Sequence, residues 1–154
     1  MSELFQMPAY LIDGPCPPED PYIENVSLSD ILTGHHSKAH VLIQIVDHDM
    51  KHPTPAYLNF EESYRFSFLD IEEKDHPFAP TAEHASDIVA VLKDALLRKK
   101  SVVVHCVAGV CRSGAVAEVG VMLGFQDTEK YRQPNLLLKK LLVEAAFPGS
   151  SYED

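Results

Sequence analysis

The sequence predicts an α/β domain with a mainly parallel central sheet flanked by helices, and three observations carry that expectation. "SVVVH" at 101–105 is a short, nearly unbroken apolar run, the pattern of a strand covered on both faces. Directly before it, Ala85, Ile88, Val89, Leu92, Ala95 and Leu96 recur at helical spacing. Strand-like and helix-like segments alternate along the rest of the chain, the order that joins parallel strands by crossover helices. At 154 residues the chain suits one domain over 1–154, large enough to bury most of the surface its unfolded form exposes.

Taken in order, residues 1–24 read as an irregular N-terminal segment, because "DGPCPPEDP" (13–21) is dense in proline and acid. Ser27, with Asp30 three positions on, marks the cap of a short helix, "SLSDILTG", that stops at Gly34. "HVLIQIVD" (40–47) reads as a mostly buried strand. "YRFSFLDI" (64–71) reads as another, with aromatic and polar residues alternating before a carboxylate. The long helix starts after Pro80 with Thr81 as N-cap and runs to Arg98-Lys99-Lys100, where cations favour a C-terminus. Past "SVVVH", the segment "GAVAEVGVMLG" (114–124) is apolar almost all round and reads as a buried helix. "PNLLLKKLLVEAAF" (134–147) is the last helix, with Pro134 in its first turn.

Lys and Arg total 13 against 23 Asp and Glu, a formal net charge of −10. Such a field repels nucleic acids and anionic membranes, so a phosphate ligand must be drawn by a local positive site. "MSELFQMPAY" lacks the basic region and apolar run of a signal peptide, and no apolar stretch approaches membrane-spanning length. The expected location is cytoplasmic. Cys16, Cys106 and Cys111 are an odd number at irregular spacing, which suits a reducing compartment. Oligomeric state stays open.

Chemistry concentrates in "VVVHCVAGVCRSG" (102–114). Five residues, Val107, Ala108, Gly109, Val110 and Cys111, separate Cys106 from Arg112 where a strand ends and a helix begins. A turn this tight wraps backbone N–H groups around a small anion, and the helix N-terminus adds positive partial charge. Gly109 allows backbone angles a side chain resists, and Arg112 offers a bidentate clamp for two phosphate oxygens. The same surroundings favour a thiolate at Cys106, and Ser113 can donate a hydrogen bond to it.

The run from His105 to Ser113 resembles, at all five specified positions, the HCxxGxxRS signature of the cysteine-based protein tyrosine and dual-specificity phosphatases. More weakly, "HVLIQIVDHD" and "RQPNLLLKKLL" resemble the same superfamily. "FLDIEE…APT" resembles a stretch of small predicted bacterial and phage phosphatases. The resemblance implies a tyrosine-phosphatase-like fold and a cysteinyl-phosphate mechanism with no metal or organic cofactor. Cys106 is then the nucleophile and residues 107–111 with Arg112 and Ser113 the phosphate-binding loop. An upstream aspartate serves as general acid: Asp70, which follows the aromatic strand, with Asp75 in reserve. The implied substrate is a phosphorylated protein or peptide, with phosphotyrosine first and phosphoserine or phosphothreonine beside it. His105 has a supporting role, orienting the loop and tuning the thiol. A phosphate-binding pseudophosphatase and a rhodanese-like sulfurtransferase are the alternatives.

Other features have plainer readings. Cys111 is a packed thiol or a disulfide partner for Cys106, and Cys16 is incidental. "HDMKH" (48–52) has the outline of a zinc-protease motif but follows a strand and meets Pro53, so it lacks the helix that would align its imidazoles. His35, His36 and His40 read as surface residues. Tyr57, Phe60 and Tyr64 are open between a recognition surface and core, and Lys51 and Arg65 between a basic patch and ordinary surface.

Overall fold

The computed structural model describes residues 20–47 and 60–149. Cys16, Lys51, Tyr57 and the "HDMKH" run lie outside them. The elements are β1 (Tyr22–Val26), α1 (Leu28–Thr33), β2 (Val41–Val46), β3 (Glu62–Ser67), α2 (Ala82–Leu97), β4 (Val102–His105), α3 (Arg112–Leu123), β5 (Gln126–Asp127) and α4 (Leu136–Ala146). The described strands form one sheet in the order β3-β2-β4-β1-β5, and every pair is parallel. That is the predicted α/β architecture, with β4 at the centre.

Alternation along each strand sorts the side chains onto two faces. Ile23, Ile43, Ile45, Val102 and Val104 point into the main core, against Ala85, Ile88 and Leu92 of α2 and buried residues of α3 and α4. Helix α4 packs against both α2 and α3. Val26, Leu42 and Val103 point to the opposite face, where Ile31 of α1 covers them. Among the described residues no helix is long and apolar enough to cross a membrane.

The cap signals at Ser27 and Thr81 are realised as read. Ser27 Oγ accepts the Asp30 N–H at 3.0 Å, and Gly34 closes α1 in the left-handed region at φ 78°. Thr81 caps α2 reciprocally: its Oγ1 accepts the His84 N–H while His84 Nδ1 accepts the Thr81 N–H.

Three expectations need correction. Residues 22–24 are not irregular but belong to β1, which pairs with β4 and β5. The polar Glu24 and Asn25 disguise this strand, and both are buried because each has specific partners: Glu24 accepts from the Ser37 N–H and pairs with Lys130. The aromatic strand is Glu62–Ser67, not 64–71, so Asp70 stands on the loop beyond it. Pro134 precedes α4, whose N-cap is Asn135.

Replacing Ser27 by alanine removes a cap and touches no core side chain. It is expected to lower stability by about 1 kcal/mol, read as a shifted urea midpoint at unchanged slope.

Candidate active site

β4 ends at His105 and α3 begins at Arg112, so residues 106–111 form the connection at the carboxyl edge of the sheet, where parallel α/β domains place their ligands. Gly109 sits at its apex with φ 80°. A Cβ there would stand 2.5 Å from backbone atoms of Val26 and Ser27, so the apex lies directly against the end of β1.

The carbonyls of this loop are tied from outside. Cys106 O accepts from His105 Nδ1 at 3.2 Å, Val107 O from the Leu28 N–H at 3.1 Å, and Gly109 O from Asn25 Nδ2 at 2.8 Å. Val110 O accepts from the Gln133 N–H at 3.1 Å, and Cys111 O from the Asn135 N–H at 3.0 Å. In a trans peptide the C=O and N–H point opposite ways. The amides of Val107, Ala108, Val110, Cys111 and Arg112 therefore turn to the inner side of the loop. Among the described residues no side chain caps α3, which leaves its first amide, that of Arg112, available to an anion.

Cys106 is 2% exposed, and its Sγ lies 3.2 Å from both the Gly109 amide nitrogen and Ser113 Oγ. Burial by itself pushes a thiol up. The hydroxyl and amide of Ser113, the amide of Gly109 and the charge of Arg112 outweigh it and hold Cys106 below the usual thiol range. His105 is fully buried and its pKa falls to about 4, mainly by burial, with the charges of Arg112 and Arg65 acting in the same direction. It is a neutral imidazole whose Nδ1–H donates to the carbonyl of Cys106.

Arg112 is 5% exposed, and Nη1 donates to Asp47 Oδ1 at 2.8 Å and to Phe68 O at 2.7 Å. These contacts hold the guanidinium by one nitrogen. Sequence reading missed Asp47, which looks like nothing more than the polar end of "HVLIQIVD"; only the sheet brings it to an arginine 65 positions away.

Asp70 Oδ1 accepts from Asn135 Nδ2 at 2.7 Å, and the same amide donates to Ile71 O at 3.1 Å. Asn135 Oδ1 accepts the Leu138 N–H at 2.9 Å. One buried side chain thus joins the Asp70 loop to the start of α4, while its backbone N–H holds Cys111 O. Asp70, Cys111, Gln133 and Asn135 share a cleft of about 680 Å³. Asp75 is exposed and does not line it. Asn135 also escaped sequence reading, because its helix looked like packing alone.

Cys111 is a free, half-exposed thiol at the N-cap of α3. Burial, the neighbouring Asp70, then Cys106 and Glu72 push its pKa up, opposite to Cys106. Tyr64 packs on the main core and donates to Glu62, and Phe60 stacks on His36. Neither lines the cleft.

No protein-family model matches the sequence, and no curated protein sequence does. Solved structures do. The Orf virus OH1 protein, described as a tyrosine phosphatase with triple substrate specificity, is similar at a TM-score of 0.52 and 18% identity, over 84% of each chain. Human DUSP28 is similar at 0.51 and 16% identity, over 85% of this chain and 82% of that one. The chain has the fold of the tyrosine and dual-specificity phosphatases.

Two outcomes follow from the site geometry. Gly109→Ala meets both a strained φ and a collision with β1, and is expected to cost at least about 2 kcal/mol in urea denaturation. The His105 ring stays neutral from pH 8 down to about 5 by NMR, given its pKa of about 4. Because the unfolded chain takes up this proton near pH 6.5, the group's contribution makes the fold lose stability as pH falls from 6.5 toward 4.

Proposed function

We propose that the chain, as a single domain over 1–154, is a cytoplasmic phosphatase that hydrolyses phosphotyrosine in proteins or peptides by a cysteinyl-phosphate mechanism, with phosphoserine and phosphothreonine as further substrates. One observation carries the reading: a buried thiol that receives hydrogen bonds inside a loop whose amides converge, with Arg112 at its end.

In this reading the amides of the loop and the free edge of Arg112 hold the three equatorial phosphate oxygens, and Sγ of Cys106 lies behind phosphorus. The thiolate attacks phosphorus, an S–P bond forms, and the P–O bond to the leaving group breaks. Asp70 gives its proton to that departing oxygen. Water then attacks phosphorus, the S–P bond breaks, and Asp70 takes the water's proton while Cys106 leaves as thiolate. Ser113 Oγ, at 3.2 Å, stabilises the thiolate in both steps. Asn135 and Asp47 position the acid and the arginine.

The mouth of the loop supports a phosphoester on an apolar group rather than a polyanion. Val107 on the loop and Leu136, which lines the cleft with Asp70 and Cys111, are exposed by 44% and 49%, and their carbon surface suits an aromatic ring. The cations flanking Tyr131 are already engaged, Lys130 by Glu24 at 3.2 Å and Arg132 by Asp127 at 3.0 Å. With a net charge of −10, this arrangement argues against RNA 5′ ends and inositol phosphates.

The test is turnover of p-nitrophenyl phosphate and a phosphotyrosine peptide with chelator present. Cys106→Ser is expected to abolish turnover; activity that survives it rules out the mechanism. Asp70→Asn is expected to slow peptide hydrolysis by about 10²–10⁴. Full activity in Asp70→Asn with none in Asp75→Asn would move the acid to Asp75. Sulfur transfer to cyanide would instead indicate the rhodanese-like alternative.

A further inference from the structure

We propose that Asn25 is a positioning residue that holds the apex of the 106–112 loop in its anion-binding form. Asn25 is 2% exposed and lies on β1, in register with Val104 of β4. That pairing fixes its side chain relative to the strand that delivers Cys106. Its Nδ2 donates to Gly109 O at 2.8 Å and to Tyr131 O at 3.1 Å. Both partners are carbonyls, which only accept, so the amide can be oriented in one way.

The reason for a tie at this point is conformational. Gly109, at φ 80°, is the residue of the loop whose backbone is freest to move, and it is the one whose N–H reaches Sγ of Cys106. The Gly109 carbonyl shares a peptide plane with the N–H of Val110. Were that plane to flip, an acceptor dipole would replace a donor in the anion cradle. Three of the other ties, from Leu28, Gln133 and Asn135, are made by backbone amides. At the apex the tie is a side chain.

Only half of the Asn25 amide is engaged. Its Oδ1 is buried with no hydrogen-bond partner among the described residues, while its Nδ2 satisfies the Gly109 and Tyr131 carbonyls, both of which a leucine would leave without that donor. Its donor, not its bulk, accounts for its presence. The same amide joins the loop to the backbone carbonyl of Tyr131.

The inference rests on Cys106 being an activated nucleophile, and the experiment separates the two. Full-length wild type, Asn25→Leu, Asn25→Ser and Arg98→Ala are compared in two measurements. One is the pH dependence of Cys106 alkylation by iodoacetamide, followed on the Cys106 peptide by mass spectrometry. The other is tungstate binding by calorimetry. Asn25→Leu is expected to raise the apparent pKa of Cys106 by about one unit and to weaken tungstate about tenfold, and to lower thermal stability because the Gly109 and Tyr131 carbonyls lose a donor. Asn25→Ser keeps a shorter donor, is expected to fall between, and carries both readouts if the leucine variant fails to fold. Arg98→Ala breaks ion pairs with Glu62 and Asp94 at the opposite edge of the sheet and is expected to leave both readouts at wild type. Wild-type alkylation and tungstate affinity in the Asn25 variants overturn the proposal. A wild-type Cys106 that titrates as an ordinary thiol and binds no tungstate overturns the nucleophile reading as well.

Discussion

A turn that gathers N–H groups on its inside must put C=O groups on its outside, and buried carbonyls need donors. The loop from Cys106 to Arg112 meets this constraint with partners drawn from five places: its own His105, Asn25 of β1, the β1–α1 turn, the segment before α4, and the first turn of α3. The anion cradle is therefore a property of the whole carboxyl edge of the sheet. Its shape persists because the structures around it are themselves fixed, β1 by pairing with the central strand and α4 by packing against α2 and α3.

The same arrangement settles the electrostatics. A buried thiol and a buried guanidinium are each costly alone. Here Cys106 has donors from Gly109 and Ser113, and Arg112 has the Asp47 carboxylate and the Phe68 carbonyl. Burial raises the thiol and the surrounding donors lower it by more, so neutrality of His105 matters: a charged imidazole is not needed to hold the thiolate. Cys111, a few residues on, faces carboxylates and is pushed the other way. Two cysteines in one loop thus have opposite character, by their neighbours alone.

Much of the fold was legible because its signals are local. The caps at Ser27 and Thr81, the helical period of α2 and the apolar run of β4 each lie within a few residues of the structure they specify. β1 was not legible, since Glu24 and Asn25 break the apolar pattern for partners at Lys130 and Gly109 that no window contains. The end of β3 was misread for a related reason. "FLDI" continues the aromatic alternation, yet Phe68, whose N–H still bonds Val46 O, turns its carbonyl to Arg112 and ends the ladder.

The sequence by itself determined the chemical groups at the loop, because nine consecutive residues, His105 to Ser113, carry the thiol, the glycine, the arginine and the hydroxyl at spacings one turn can satisfy. Only the tertiary structure decided what holds those groups. Asn25, Asp47, Asp70 and Asn135 come from four separate segments, and parallel strands linked by crossovers end together at one edge of the sheet whatever their distance along the chain. Hydrogen bonds between side chains 65 positions apart have no period and no spacing to read. They exist because the sheet brings the ends of β1, β2, β3 and β4 to one edge.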